Sequence, residues 1–557
     1  MTAHPFKKSL AALCLAGAPL LLPWAEATEP LHLSGEERVL VLAPHPDDET
    51  IATGGLIQEA LALDVPVRVC FFTMGDNNEL AFLITRKHPV LMPGAVRSMG
   101  LTRQNEGLAA TAQLGVSSND VFFLGYPDFG TLDIWNHHWR TVPPFRSMLT
   151  RVTAVPYERA LTPGSAYAGE DILDDLMEVI REFQPTHIAL SHPADHNVDH
   201  RALYLFTRVA LWNLASEGIS PTLLPYPVHF TQWPEPRHYH PLLPSTPPYF
   251  LSEQISFLEV ALAPFQVSNK YAAIQRHHSQ YLYSSGYLNS FMRTSELFGD
   301  YPDISLPSGS GTSEIAEEDM SQFRADETLL QEFSQSSNNW DAIENQSDTE
   351  NQAISTHDND FIQRSISGDG THLTLAFQFQ HPLSRFVTLT VSLFGYHPKT
   401  PFGEMPKIII ELNSRKVVSV TDLDIKQPLD SVELVAGAPN EILLRVPYTL
   451  LADPEKILAD ASLSRGQIPI DWVAWRAIDL TGNASSKPAK PFPVVAPQAA
   501  PPVDPEPPAT PESPAPAEVV QSPAPQEEQA PSPLTPRVNL PRKELPPRTE
   551  ANEPVRW

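Results

Sequence analysis

From Arg38 to about Leu214, short apolar runs alternate with amphipathic stretches. RVLVLAP (38–44) predicts a buried strand and TIATGGLIQEALAL (50–63) a helix. VPVRVCFFT (65–73) predicts a second strand, followed by a helix from Arg97 to Leu114 that Gly115 ends. VFFLGY (121–126) is a third strand. Between Gly169 and Phe183 the apolar residues Ile172, Leu173, Leu176, Met177, Val179 and Ile180 make a helical stripe, which Pro185 stops. THIALS (186–191) is a fourth strand, with a helix from Asp199 through Leu211. Strands rich in Val, Ile and Phe that do not alternate are buried on both faces. Separated by helices, they predict an α/β fold with a mostly parallel sheet and helices on both faces. Such sheets bind ligands beyond the carboxyl ends of their strands.

The texture changes after about Asp300. Residues 301–365 are rich in Ser, Asn, Gln and acids and poor in aliphatics, which predicts a flexible linker. Alternation returns in LTLAFQF (373–379), FVTLTVSLFG (386–395), KIIIEL (407–412), SVELVAG (431–437) and EILLRVPYTLL (441–451), which predict a small all-β, sandwich-like domain over 366–480. Aromatics exposed at Tyr396, Trp472 and Trp475 would make it a carbohydrate- or surface-binding module; otherwise it is a packing module. Of the 58 prolines, 20 lie between Pro491 and Pro554, so 481–557 is expected to be a disordered, Pro-rich tail. A formal charge of −28 gives no basic footprint for nucleic acid. Two cysteines, Cys14 and Cys70, exclude a disulfide scaffold and a thiolate-rich metal site. Residues 1–27 have the pattern of a signal peptide: Lys7 and Lys8, an apolar core from Ser9 to Pro23, and an Ala25-Glu26-Ala27 cleavage site. The core is too short and proline-broken to span a bilayer. The expectation is export to a periplasmic or extracellular location, with no integral membrane span after cleavage.

Two polar sequences fall at strand ends. Ala43-Pro44-His45-Pro46-Asp47-Asp48-Glu49 follows the first strand, and Ser191-His192-Pro193-Ala194-Asp195-His196-Asn197-Val198-Asp199-His200 follows the fourth. Charges placed there are costly unless solvated, paired or bound to metal. Two histidines and one carboxylate with an open position for water is how a catalytic zinc is held. Helix capping by Asp47 or Asp48, and by Asp195 or Asn197, is the alternative, and it accounts for only one acid per loop.

APHPDDE with the D-x-N-x-D-H form of the second loop resembles the PIG-L/LmbE family of zinc-dependent de-N-acetylases. Arg103-x-x-Glu106, Leu114-Gly115, Leu124-Gly125-Tyr126-Pro127-Asp128, Lys270 and Ser279-Gln280 extend the resemblance over roughly residues 36–300, giving a deacetylase domain at 33–300. The resemblance implies a Rossmann-like fold, with His45, Asp48 and His200 as ligands of Zn2+ and Asp47 as general base. Iron or cobalt would also suit such a donor set. Glu49 would orient a ligand histidine or sit at the positive end of the helix dipole. Many family members have a histidine three residues before the second ligand histidine. Here that position is Asn197, whose amide can stabilise an oxyanion but cannot deliver a proton. His196 is one residue out of register.

Arg103 would clamp a sugar hydroxyl or phosphate, or pair with Glu106 one helical turn away. Asp128 is placed for sugar hydroxyls. The insertion between Thr131 and Tyr167, with Trp135, His137, His138, Trp139, Arg140 and Tyr157, reads as a sugar-stacking lid or as packing. His229 reaches the pocket or stays at the surface. The resemblance implies removal of acetyl from an N-acetylated amino sugar or glycoconjugate. The alternatives are an amidase for another N-acylated small molecule and a non-catalytic sugar- or envelope-binding protein, with envelope contact made through the β domain or tail.

Overall fold

The computed structural model describes residues 28–77, 92–140, 143–230, 233–248, 251, 255–306, 310–316, 361–423, 425–466 and 468–482. The expected signal peptide and nearly all of the expected tail lie outside these residues.

The short strand β1 (Glu29–Pro30) precedes β2 (Val39–Ala43), helix α1 (Asp48–Ala62) and β3 (Val67–Thr73). Helix α2 (Pro93–Leu114), β4 (Val121–Tyr126), α3 (Thr131–His137) and α4 (Gly169–Phe183) follow. Next come β5 (His187–Ser191), α5 (Val198–Leu214) and β6 (Thr222–Tyr226). The five strands run parallel in the order β4-β3-β2-β5-β6. All five residues of β2 are fully buried, which explains its unbroken apolar run. Two helix groups cover the sheet: α1 and α2 pack with α6 (Pro264–Ile274), and α5 packs with α3 and α4. The chain leaves β2 toward β3 and β4, then returns to add β5 and β6 on the other side. The crevice between the ends of β2 and β5 is therefore the topological switch point, and both polar loops open there. Strands β7 (Phe257–Ala261) and β8 (Ser295–Gly299) form a small sheet with β1, and α7 (His278–Asn289) lies between them in sequence.

The remainder is two β-sheets. One has the order β10-β11-β12-β18-β17, from Ser310–Ala316, Phe361–Asp369, His372–Phe379, Glu441–Pro447 and Glu433–Val435. The other has the order β16-β15-β14-β13-β19-β20-β9, from Ile425–Lys426, Lys416–Asp422, Lys407–Asn413, Thr388–Tyr396, Lys456–Arg465, Ile468–Asp479 and Ile304–Ser305. Leu373, Leu375, Leu444 and Val446 of the first sheet meet Leu389, Val391 and Leu393 of the second in one core.

The stretch 301–365, expected to be a linker, contains β9, β10 and the start of β11. Their order comes from partners distant in sequence, β20 for β9 and β11 for β10, rather than from their own composition. Residues 317–360 lie outside the described residues. Of the two readings of the β domain, the binding module that required exposed aromatics fails and the packing module holds for them: Tyr396, Trp472 and Trp475 are 3%, 7% and 3% exposed. They belong to the same apolar core as the parallel sheet, because the seven-stranded sheet lays its outer face on the α/β part. Trp135 and Trp139 of the expected lid are fully buried, and Trp135 packs on Phe394, Phe402 and Trp475. Of the two readings of that insertion, packing holds for these tryptophans.

Candidate metal centre

The first loop turns directly from β2 into α1. Asp47 stands at the turn with φ 140°, a left-handed conformation that costs a non-glycine residue on the order of 1–3 kcal/mol. Its side chain makes no capping hydrogen bond. Two contacts hold the turn. The Asp47 N–H donates to Glu49 Oε2 at 2.9 Å, and Arg103 donates to Pro46 O at 2.8 Å. Arg103 also donates to Gly75 O at 2.9 Å and lies 3.4 Å from Asp47 Oδ2. Gly75 has φ +59°, and a Cβ there would sit 2.0 Å from the Arg103 guanidinium, so this approach requires glycine. Arg103 thus ties two strand-end loops together and does not pair with Glu106, which accepts from the Ser279 N–H and hydroxyl.

The second loop starts α5 differently. Asn197 caps the helix, its Oδ1 accepting from the Asp199 N–H at 2.8 Å, while Asp195 Oδ1 accepts from the Asn197 N–H at 2.8 Å. Capping therefore holds for Asn197 and fails for Asp47. With its Oδ1 engaged, Asn197 has only its carboxamide NH2 to offer an oxyanion.

These two turns bring His45, Asp48 and His200 together, all buried, with one donor atom from each within 4.8 Å of the others. His45 Nδ1 and His200 Nε2 each lie 3.2 Å from Asp48 Oδ2. The far ring nitrogens also meet carboxylates. His200 Nδ1 is 3.2 Å from Asp195 Oδ2, and His45 Nε2 is 3.2 Å from both Asp199 Oδ2 and Asp128 Oδ1. A neutral imidazole carries one N–H. Spent on these outer carboxylates, it leaves lone pairs at His45 Nδ1 and His200 Nε2 facing a third carboxylate, an arrangement satisfied by a metal ion in the centre or, in the metal-free protein, by a second proton on each ring. The residues present fit zinc: two imidazole nitrogens and a carboxylate oxygen, each ligand histidine backed by a carboxylate. The charges say the same. Burial alone would lower His200, but Asp195 and Asp48 raise it to about 9. Burial would raise Asp48, but the two histidines hold it well below the usual carboxylate range. Burial pushes Asp47 up to about 6 against the pull of Arg103.

The outer carboxylates Asp195 and Asp199 escaped the sequence reading, although both stand in the quoted D-x-N-x-D-H string. Asp199 is anchored by the Phe129 N–H at 2.6 Å, the Thr131 hydroxyl and the Thr131 N–H at 3.3 Å. Asp128, expected at sugar hydroxyls, is 4% exposed; it faces His45 and accepts from the Asn77 N–H at 2.9 Å. Glu49 orients no ligand histidine. It bridges the Asp47 backbone to His277, whose Nε2 is 2.8 Å from Oε1, and His277 had no spacing signal in the sequence. His229 does reach the centre: its ring lies 4.7 Å from that of His200, and its backbone N–H donates to Asp195 Oδ2 at 2.9 Å. His196 joins neither cluster of potential metal ligands among the described residues; its ring lies against Phe230 and Trp472.

Residues 40–211, which hold both loops and all three inner donors, match the model of the GlcNAc-PI de-N-acetylase family, PIG-L. This part of the chain is similar to that family. A 1D-myo-inositol 2-acetamido-2-deoxy-alpha-D-glucopyranoside deacetylase from Actinosynnema mirum is 31% identical to it over 153 residues, 28% of this chain and 46% of that protein. A protein of the same description from Saccharopolyspora erythraea is 30% identical over 170 residues, 30% of this chain and 50% of that protein. The chain thus spans about half the length of the curated relatives it matches. The solved N,N'-diacetylchitobiose deacetylase from Pyrococcus horikoshii overlays with a TM-score of 0.26 and 18% identity, covering 44% of this chain and 70% of that one. The family match ends before β6, and the two β-sheets lie wholly outside it.

Proposed function

We propose that this protein is a zinc-dependent N-deacetylase that removes acetyl from an N-acetylated amino sugar or glycoconjugate. The observation that carries the reading is the partly exposed Asp47 directly beside a buried two-histidine, one-carboxylate centre, within a PIG-L match. His45, Asp48 and His200 would hold the metal, which supplies an acidified, oriented water and polarises the amide carbonyl. Asp47 would accept a proton from the attacking water and return it to the departing amine. An acid raised to about 6 carries a proton more readily than an ordinary aspartate. Burial is the first cause of that rise, and the Asp48 charge adds to it. Arg103, at 3.4 Å, keeps the Asp47 carboxylate aimed and opposes the rise. Asn197 offers its NH2 to the oxyanion. Contact of Arg103 or Asp128 with the sugar belongs to this proposal, as does export through residues 1–27. No helix among the described residues is long and apolar enough to cross a membrane.

The reading is tested by incubating the zinc-loaded chain with a panel of N-acetylglucosamine conjugates and measuring released acetate and free amine. The expected result is equimolar release that chelator abolishes and zinc restores. Hydrolysis of non-sugar N-acyl compounds alone would move the protein to the amidase alternative.

A further inference from the structure

We propose that the seven-stranded β-sheet is a working part of the metal centre, with Trp472 as a positioning residue that holds the loop bearing His200. Trp472 lies on β20 and is 7% exposed. The Arg201 guanidinium carbon stands 4.5 Å over its ring, and the His196 ring meets it edge-on at 6.2 Å. Arg201 follows His200 in the chain and His196 precedes it by four residues, so one indole grips both sides of the turn that delivers the ligand. Among the described residues the Trp472 indole N–H has no hydrogen-bond partner, and its ring carries the contact. A guanidinium over a desolvated indole is the stronger kind of cation–π pair. Asp460, on the neighbouring strand β19, adds its negative charge to the surroundings of Arg201.

A second contact from the same sheet serves the other ligand histidine. Phe394 on β13 and Trp475 on β20, with Phe402 from the β13–β14 connection, pack around Trp135, one helical turn beyond Thr131 on α3. Thr131 donates to Asp199, the carboxylate at His45 Nε2. Both histidine ligands are thus braced through elements that lean on the β-sheet. A ligand set must be held within about 0.5 Å to bind its metal well, which is the purpose such bracing serves.

The proposal rests on the metal centre and not on the substrate, so its test reads zinc affinity in the full chain. W472A and R201A each remove the contact from one side; W472F keeps a ring. L444A opens the sandwich core away from the interface, as a control for general loosening, since Leu444 is fully buried there. Zinc affinity is measured by chelator competition at fixed pH, and ligand geometry by the visible spectrum of the cobalt-substituted protein. The expected result is ~10-fold or greater weakening in W472A and R201A, an altered cobalt spectrum, substantial rescue in W472F, and wild-type affinity in L444A despite a lower Tm. If W472A does not fold, R201A alone carries the test. Wild-type affinity in both contact variants, or equal weakening in L444A, would overturn the proposal. A wild-type chain that binds zinc normally but hydrolyses no N-acetyl sugar would sink the deacetylase reading and leave this one standing.

Discussion

Asp47 and Asp48 are neighbours with opposite electrostatic fates. Asp48 lies between two imidazoles that hold it deprotonated, whereas Asp47 is lifted by burial to about 6. D47N should therefore keep its zinc and lose roughly 10²–10⁴-fold in turnover, the usual contribution of a general acid–base group. D48A should lose metal and turnover together. Metal analysis beside a rate assay checks both, and a D47N protein stripped of zinc would reverse the roles. On the proposed mechanism Asn197 would have two separable duties: its Oδ1 caps α5, and its NH2 would serve the oxyanion. N197D should melt close to the wild type because aspartate caps equally well. Its turnover should fall by about 2–4 kcal/mol of barrier for the lost donor. An N197D enzyme with full activity would reduce Asn197 to a cap.

At the scale of elements, the site is made by strand ends and helix starts rather than by any one element. The β2–α1 turn supplies Asp47 in a strained conformation, and the β5–α5 turn supplies His200 at the first turn of a capped helix. Between them, α3 holds Asp199 through Thr131. D199N removes the carboxylate that fixes His45 and places an amide NH2 against donors from Phe129 and Thr131. It should weaken zinc binding by about 10–100-fold, the range for such outer carboxylates, while Tm of the metal-free protein changes much less than in a ligand variant. Chelator competition and thermal melting decide it. Zinc affinity equal to the wild type would show that Asp128, also 3.2 Å from Nε2, holds His45 without Asp199.

For the whole molecule, metal and protons compete for one buried centre. In the metal-free protein His200 is raised from 6.5 to about 9 by Asp195 and Asp48, against the lowering effect of burial. A folded-state pKa above the unfolded value stabilises fully below the unfolded pKa and not at all above the folded one. This contribution is therefore present below pH 6.5 and lost as pH rises to about 9. Zinc requires the neutral imidazole, so its apparent affinity should rise by about tenfold per pH unit for each proton released over the same window. The Tm gap between zinc-loaded and metal-free protein should widen from pH 6.5 to 9. Differential scanning calorimetry at fixed zinc excess measures it, and a gap that stayed flat or narrowed would count against His200 as a ligand.

The α/β fold and the inner metal donors were legible in the sequence because both have local signatures. A parallel strand buried on two faces must be an unbroken apolar run, so β2, β3, β4 and β5 announced themselves. Acids and a histidine at the end of such a run are too costly to be accidental. What the tertiary structure alone decided depended on partners distant in sequence. Trp472, Trp475 and Tyr396 look the same on paper whether they face solvent or a neighbouring sheet; here one face of β13 and β20 is pressed onto α3 and α5. Strands β9 and β10 have too few apolar residues to predict themselves and are ordered by β20 and β11. The partners of Arg103, Glu49, Asp128 and His277 could not be read either, because a polar side chain near a loop has many possible mates in sequence. Only the packing of distant segments selects which of them meet, as it does in the parallel β2–β5 pairing, which joins segments about 150 residues apart.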